Sequence, residues 1–186
     1  MRPGIAVVLS LLLAFTLPLA AQPIISEFMA DNATVLADED GAFEDWIELH
    51  NPGGASINLD GYYLTDDTLN PTKWRLPAQT LPAGGYLVIF ASQKNRAVAG
   101  AQLHTNFKLD ADGEFLALVA TNGTTVVSGF GTAYPRQYRN ISYGVQTQGT
   151  SVTLRAGQAG YLVSHTPGVA NSVVFGPHPL YSDGSL

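Results

Sequence analysis

Short runs rich in β-branched and aromatic residues recur about every ten residues along this chain, and Gly, Pro, Asn or Asp separates almost all of them. The clearest run, FLALVA at residues 115–120, lies between the turn dipeptides Asp112-Gly113 and Asn122-Gly123. Such dipeptides favour tight turns between antiparallel strands. Helix patterns are nearly absent and strands do not alternate with helices. The spacing therefore predicts an all-β sandwich or barrel and disfavours a nucleotide-binding parallel sheet.

The pattern predicts a specific set of strands and one irregular insert. The predicted strands are residues 24–29, 45–50, 57–59, 62–65, 73–76, 86–91, 103–108, 115–120, 125–130, 141–143 and 160–164. Residues 93–100 are predicted to be irregular or to form a single helical turn.

Composition narrows the class of protein further. The chain has 186 residues, of which 46% are hydrophobic and 13% charged, which is typical of a folded domain rather than a disordered one. It has no cysteine, so neither disulfides nor thiolate metal sites are available. With nine Lys and Arg and a net charge of -6, it lacks the basic surface that nucleic-acid binding needs.

Residues 1–21 (MRPGIAVVLSLLLAFTLPLAA) have the pattern of a secretory signal peptide. One Arg precedes an apolar run from Ile5 to Leu17, and small residues follow. The run is shorter than the ~20 residues that span a bilayer, so no stable membrane anchor is expected. We predict cleavage at Ala21 or Gln22 and a secreted chain, periplasmic or extracellular.

Acidic residues concentrate between Glu27 and Asp67, where eleven of the fifteen occur. Carboxylates that alternate around a glycine turn can supply oxygens to a hard cation. Asp38, Asp40 and Asp45 are therefore candidate calcium ligands, although the loop is not an EF-hand. A smaller candidate is the turn at residues 110–114. The alternative is a solvated loop whose charge protects an edge strand.

A second candidate site lies in the irregular segment GTAYPRQYRNISYG. Exposed aromatic rings beside arginine can bind sugar rings or a peptide, which makes Tyr134, Arg136 and Tyr138 candidate binding residues. The alternative is that these residues fold over the edge of the sandwich.

Catalytic motifs are missing from the sequence. It contains no Gly-x-Ser-x-Gly elbow, no His-Glu-x-x-His pair and no phosphate-binding loop. We expect His50 to have a packing or turn role, and His104 and His165 to lie at the surface or in turns. The sequence thus predicts that the chain is not an enzyme and needs no cofactor, calcium apart.

The ordered series ISEFMADN, LADEDGAFEDWIELHNPG, INLDGYYLTDD, NPTKWRLP, LPAGGYLVIFAS, LHTNFKLDADGEFLALV, ISYG and HTPGVAN resembles the lamin tail domain family in its bacterial secreted form. The resemblance covers residues 24–171 and implies an immunoglobulin-like β-sandwich. We therefore predict one domain at residues 22–171, followed by an extended or disordered tail at 172–186.

The resemblance also implies a function without naming its ligand. It implies a secreted non-catalytic interaction or structural module that binds a protein or a cell-envelope polysaccharide, in an oligomeric state that stays open. The alternative is an accessory domain of a longer secreted hydrolase, nuclease or spore-coat-kinase-like protein. A third, remote alternative is a small hydrolase that uses the acidic loop with calcium.

Overall fold

A computed structural model describes residues 21–145, 159–162 and 164–171 of the chain. The described residues form twelve β-strands and no helix, so none of them could cross a membrane as a helix. The strands are β1 (Ile24–Met29), β2 (Asp45–His50), β3 (Ile57–Asn58), β4 (Tyr63–Thr65), β5 (Trp74–Arg75), β6 (Thr80–Leu81), β7 (Tyr86–Ala91), β8 (Leu103–His104), β9 (Ala117–Val119), β10 (Val126–Gly129), β11 (Tyr143–Val145) and β12 (Ala159–Tyr161).

The strands form two main sheets and a short third one. The larger sheet has the order β12-β11-β1-β2-β7-β8, the smaller has β10-β9-β4-β5, and β3 pairs with β6. Every pairing is antiparallel except that between β7 and β8. One core cluster joins the two main sheets, with Phe28 and Ile47 from the larger and Leu64 and Leu118 from the smaller. The prediction of an all-β, immunoglobulin-like sandwich is confirmed.

The larger sheet is buried on both faces. All six residues of β1 are buried, including Ser26 and Glu27. On the face turned away from the smaller sheet, Met29, Trp46 and Phe90 form a second apolar cluster, covered by residues of the loop after β1. Since an exposed sheet of this kind would leave large apolar side chains in water, this outer face needs covering segments.

The sequence pattern located the long strands well and the short ones less well. Residues 24–29, 45–50 and 86–91 form strands with the predicted bounds. Strand β6 was not predicted, because Thr80 and Leu81 are too few to show alternation. Residues 93–100 are irregular, and Gln93 and Asn95 have φ values of 63° and 53°. The predicted signal peptide, except for Ala21, and the predicted tail at 172–186 lie outside the described residues.

Strand β11 can approach β1 only because residue 144 is a glycine. A Cβ atom at this position would overlap the carbonyl oxygen of Ser26 and lie 2.9 Å from Cα of Glu27. The register between β1 and β2 shifts between Ile25 and Glu27, and this irregularity brings the Ser26 carbonyl towards β11.

Gly144→Ala is therefore expected to reduce the free energy of unfolding by ~1–3 kcal/mol, because the added methyl group must displace backbone atoms of β1. Urea denaturation measures the change. Gly54→Ala is the matched control, since nothing lies within 4 Å of a Cβ at Gly54. Equal stabilities of the two variants would contradict this assignment.

Candidate functional site

The acidic loop, which we define as residues 37–44, is shaped by the fully buried side chain of Asp38. Its Oδ1 accepts hydrogen bonds from the backbone N–H groups of Asp40, at 2.9 Å, and Ala42, at 3.0 Å. Lys94 donates to its Oδ2. Burial alone would raise the pKa of Asp38, but the hydrogen bonds from Lys94 and the two backbone groups outweigh it and lower the pKa. Asp38 is thus held as an anion.

Two cations from the segment after β7 neutralise the rest of the acidic loop. Lys94 Nζ lies 2.7 Å from Asp40 Oδ2. Arg96 donates to Glu39 Oε1 at 2.6 Å and lies 2.8 Å from Asp40 Oδ2. Hydrogen bonds from Arg96 and then Lys94 lower the pKa of Asp40 to about 2. This network connects the acidic loop to the segment at residues 92–96.

The structure does not assemble the predicted calcium ligands Asp38, Asp40 and Asp45 into one site. Asp38 and Asp40 face Lys94, whereas Asp45 accepts from the backbone N–H of Asn32 at 3.4 Å. Ion pairs with Lys94 and Arg96 engage Asp38 and Asp40, and Asp45 is not grouped with them. Calcium binding itself stays an untested prediction.

The smaller calcium candidate is also occupied by internal hydrogen bonds. Asp110 Oδ1 accepts from the N–H of Asp112 at 2.8 Å, and Glu114 Oε1 accepts from the N–H of Asp110 at 2.8 Å. These contacts form an Asx-type turn.

Among the described residues, Asp38 and Glu39 of the acidic loop and His104 form a group of three side chains that could hold a metal ion. Their potential ligand atoms lie within 4.8 Å of one another. Lys94 and Arg96 contact the two carboxylates of this group, so a metal ion would have to displace both cations.

His104 lies in the interior, so the prediction of a surface or turn position is wrong. Its Nδ1 is 2.8 Å from Ser92 Oγ and its Nε2 is 2.8 Å from Glu39 Oε2. The order serine–histidine–carboxylate matches that of a serine hydrolase. In such a hydrolase the serine is accessible and the carboxylate is buried. Here Ser92 is only 5% exposed, whereas the Glu39 side chain is 37% exposed. The contacts of His104 with Ser92 and Glu39 therefore connect two loops, and they do not expose the Ser92 hydroxyl to a substrate.

The other described histidines follow the prediction. His50 is buried, its ring stacks on Tyr86 with centroids 4.2 Å apart, and its Nδ1 lies 3.1 Å from the carbonyl oxygen of Gly85. His165 is exposed.

Tyr134 belongs to the core and cannot offer its ring to a ligand. It is 2% exposed and packs against Phe28, with ring centroids 4.6 Å apart. Its hydroxyl donates to the carbonyl oxygen of Asp110 at 2.8 Å and lies 3.1 Å from Glu114 Oε1. Burial, and then the nearby Glu114 carboxyl, raises the pKa of Tyr134. The expectation of an exposed ring is wrong, because a buried hydrogen bond satisfies its hydroxyl.

Arg136 and Tyr138, the other two predicted binding residues, lie nearer the surface. The Arg136 side chain is 71% exposed, and its Nε lies 3.7 Å from Asp112 Oδ1. Tyr138 is half-buried and contacts the ring of Tyr161 edge-on, with centroids 5.6 Å apart. Their role in binding stays a prediction.

An open cleft of about 530 Å³ lies where β1, β4 and β7 end and β2 and β5 begin. We call it the acidic cleft. Its lining residues are Ala30, Asp31, Asn32, Asp45, Asp66, Lys73, Gln93, Asn106, Phe107, Lys108, Leu109, Asp110, Ala111 and Glu114. Five carboxyl groups thus face two ammonium groups.

The two lysines of the acidic cleft are paired with carboxylates. Lys73 Nζ lies 2.6 Å from Asp66 Oδ1, and Lys108 Nζ lies 3.0 Å from Glu44 Oε2. Burial raises the pKa of Asp45 to about 6 and also raises that of Glu114. A cation bound nearby would lower the pKa of both carboxyl groups, because a positive charge favours their ionised form.

The sequence indicated Asp45 and the turn at residues 110–114 as separate candidates, but not that they line one cleft with Asp31 and Asp66. The residues of the acidic cleft are far apart in the chain, and they meet because antiparallel strands bring alternate ends to one edge of the sandwich. The available signal was the position of Asp31 after β1, Asp45 at the start of β2 and Asp66 after β4.

The fold and these loops define an immunoglobulin-like interaction or structural domain. The model of the Lamin Tail Domain family matches residues 18–133. The chain belongs to this family, whose members are generally non-catalytic. Searches of the curated proteins and of the solved structures found no match.

Lys94→Met is expected to lower the melting temperature by ~5 °C, because it leaves the buried Asp38 carboxylate without its cation. The lowered pKa values of Asp38 and Asp40 contribute stability at neutral pH that is lost as the pH falls from about 4 towards 2, and the variant should lose part of this dependence. Thermal melts from pH 2 to 7 test this.

Lys108→Met, at a half-exposed pair, should change the melting temperature little and serves as the control. Equal melting temperatures for both variants would count against the ion-pair network.

Tyr134→Ala is expected to reduce the free energy of unfolding by ~3–5 kcal/mol, because it empties a large core position. Tyr134→Phe should cost about 1 kcal/mol through the lost hydroxyl. Chemical denaturation separates the two effects. Tyr138→Ala serves as the comparison at a half-buried ring. A Tyr134→Ala variant as stable as wild type would show that the ring does not support the core.

Proposed function

We propose that this chain is a secreted, non-catalytic binding module whose acidic cleft holds a basic segment of a protein partner. The excess of carboxyl over ammonium groups in an open cleft carries this proposal. Membership of a family of immunoglobulin-like domains supports the module role, and the leader-like residues 1–21 support export.

The charges in the acidic cleft favour a cationic ligand. Asp66 and Glu44 already hold Lys73 and Lys108. No lysine or arginine in the described part of the chain lies within salt-bridge distance of Asp45 or Asp110. Asp45 is half-buried, so its ionisation is costly until a positive charge arrives. A lysine or arginine side chain would supply that charge together with directional hydrogen bonds.

The size of the acidic cleft suits a short peptide segment. Its volume of about 530 Å³ lies within the range of clefts that hold side chains or small ligands. Its side-chain amides, such as those of Gln93 and Asn106, can bond to a partner's backbone. Large exposed aromatic rings, which sugar binding favours, are absent from this lining; Phe107 is buried and Lys73 lies over its ring.

The segment GTAYPRQYRNISYG is hydrogen-bonded to two residues that line the acidic cleft. Backbone N–H groups of Gln137 and Asn140 donate to the carbonyl oxygens of Ala111, at 2.6 Å, and Asp31, at 2.8 Å. Arg136 and Tyr138 therefore lie on a segment fixed to the cleft walls. We assign them a secondary role in orienting the partner.

Binding of a fluorescent lysine- and arginine-rich peptide, compared with its glutamate-substituted counterpart, tests the proposal. The chain should bind the basic peptide but not the glutamate-substituted one. Its affinity for the basic peptide should fall as the salt concentration rises, because salt screens the charges. Asp31→Asn with Asp110→Asn should weaken binding about tenfold, equivalent to 1.4 kcal/mol. Asp60→Asn is the control, because its carboxylate is exposed and pairs with Arg75 elsewhere.

Equal affinity for both peptides, or unchanged affinity in the double variant, would contradict the proposal. Retention on a neutral cell-envelope polysaccharide that is lost in Arg136→Ala and Tyr138→Ala would instead assign the partner to the polysaccharide class.

A further inference from the structure

Residues 164–171 (SHTPGVAN) cross the outer face of the larger sheet, and we call them the strap. Thr166 donates to the Glu27 carboxyl through its backbone N–H, at 3.0 Å, and through its hydroxyl, at 2.8 Å. The N–H of Gly168 donates to Glu48 Oε2 at 2.5 Å. Asn171 Nδ2 donates to the carbonyl oxygens of Ser26 and Val145, at 2.9 and 2.7 Å. Polar contacts therefore hold the strap, and two carboxyl groups provide half of the anchoring residues.

Glu27 and Glu48 are direct neighbours across β1 and β2. Both are 0% exposed. Residues opposite each other on antiparallel strands have Cβ atoms about 5 Å apart, so the two side chains share one site. The strap lies between this pair and the solvent.

Among the described residues, no lysine or arginine of the surrounding elements compensates the pair. Strands β1, β2, β7 and β11 and the strap contain no lysine or arginine. Besides the pair, the titratable side chains that the described residues place on this face are His50 on β2, Tyr86 on β7, His104 on β8 and His165 on the strap. Val88 lies opposite Glu48, and Gly144 lies opposite Glu27. Two buried carboxylates without a cation cannot both ionise at low cost.

Burial accordingly raises the pKa of Glu48 to about 8, although Ser26 and Gly168 donate hydrogen bonds to it. Burial also raises the pKa of Glu27, against the hydrogen bonds from Ser142 and Thr166. Opening the strap would return both groups to water, where a glutamate has a pKa of about 4.3. The closed strap therefore binds a proton that the open strap releases.

We propose that the strap is a pH-controlled cover, closed while the Glu27–Glu48 pair retains a proton and released as the pair loses it. A group whose pKa is raised in the closed form stabilises that form below its open-form pKa and loses this effect as the pH rises. The equilibrium constant for opening should thus increase about tenfold per pH unit between about 5 and 8 and level off above. Opening exposes the polar face of β1 and β2.

Amide hydrogen exchange of the full chain, measured at several pH values between 5 and 9, tests the proposal. The intrinsic exchange rate of each amide, divided by its measured rate, gives a protection factor that reports how often the amide opens. Protection of the Thr166 and Gly168 amides should fall about tenfold per pH unit up to pH 8, while the β9 amides keep constant protection. Glu48→Gln, which stays neutral, should remove this slope; Asp60→Asn should not.

Three results would overturn the proposal: strap protection that does not change with pH, an unchanged slope in Glu48→Gln, or an equal loss of protection in β9. The last result would mean that the whole domain opens rather than the strap. Glu27→Gln provides the second variant, and its slope should also be reduced.

Discussion

The larger sheet must be covered on both faces, and the rest of the structure depends on how its outer face is closed. The smaller sheet covers the inner face with an apolar interface. On the outer face, Val35 and Leu36 cover the cluster of Met29, Trp46 and Phe90. Next to this apolar patch the cover becomes polar, and it is made by the strap on buried carboxyl groups. Apolar contacts thus close one part of the outer face, and buried hydrogen bonds close the part next to it.

This division gives the acidic residues three different roles. Asp38 and Asp40 are held as anions by Lys94 and fix the acidic loop. Glu27 and Glu48 are buried without a cation and anchor the strap. The five carboxyl groups of the acidic cleft line an open cavity and, under the proposed function, bind a cationic partner. A net charge of -6 therefore describes the chain poorly, because the function of each carboxylate follows from the cations that reach it.

The fold was predictable where the sequence carries long apolar runs. Residues 86–91 (YLVIFA) form a strand with the predicted bounds, whereas the two-residue β6 leaves no pattern to detect. Tyr134 was expected outside because it stands in an irregular segment, and His104 because it begins a predicted strand. Both are buried, since long-range partners at Asp110 and Ser92 satisfy their polar atoms. Such partners cannot be read from local spacing. The acidic cleft was missed for the same reason.

Carboxyl ¹³C NMR titration of Glu27 and Glu48 tests whether buried, protonated carboxyl groups close the outer face of the larger sheet. Each carboxyl carbon reports its own protonation, without dependence on the strap's exchange rate. The pair should keep a proton through neutral pH and release it near pH 8. Complete ionisation of both groups by pH 5 would contradict it, because it would require solvent or a cation at a site that the structure shows closed.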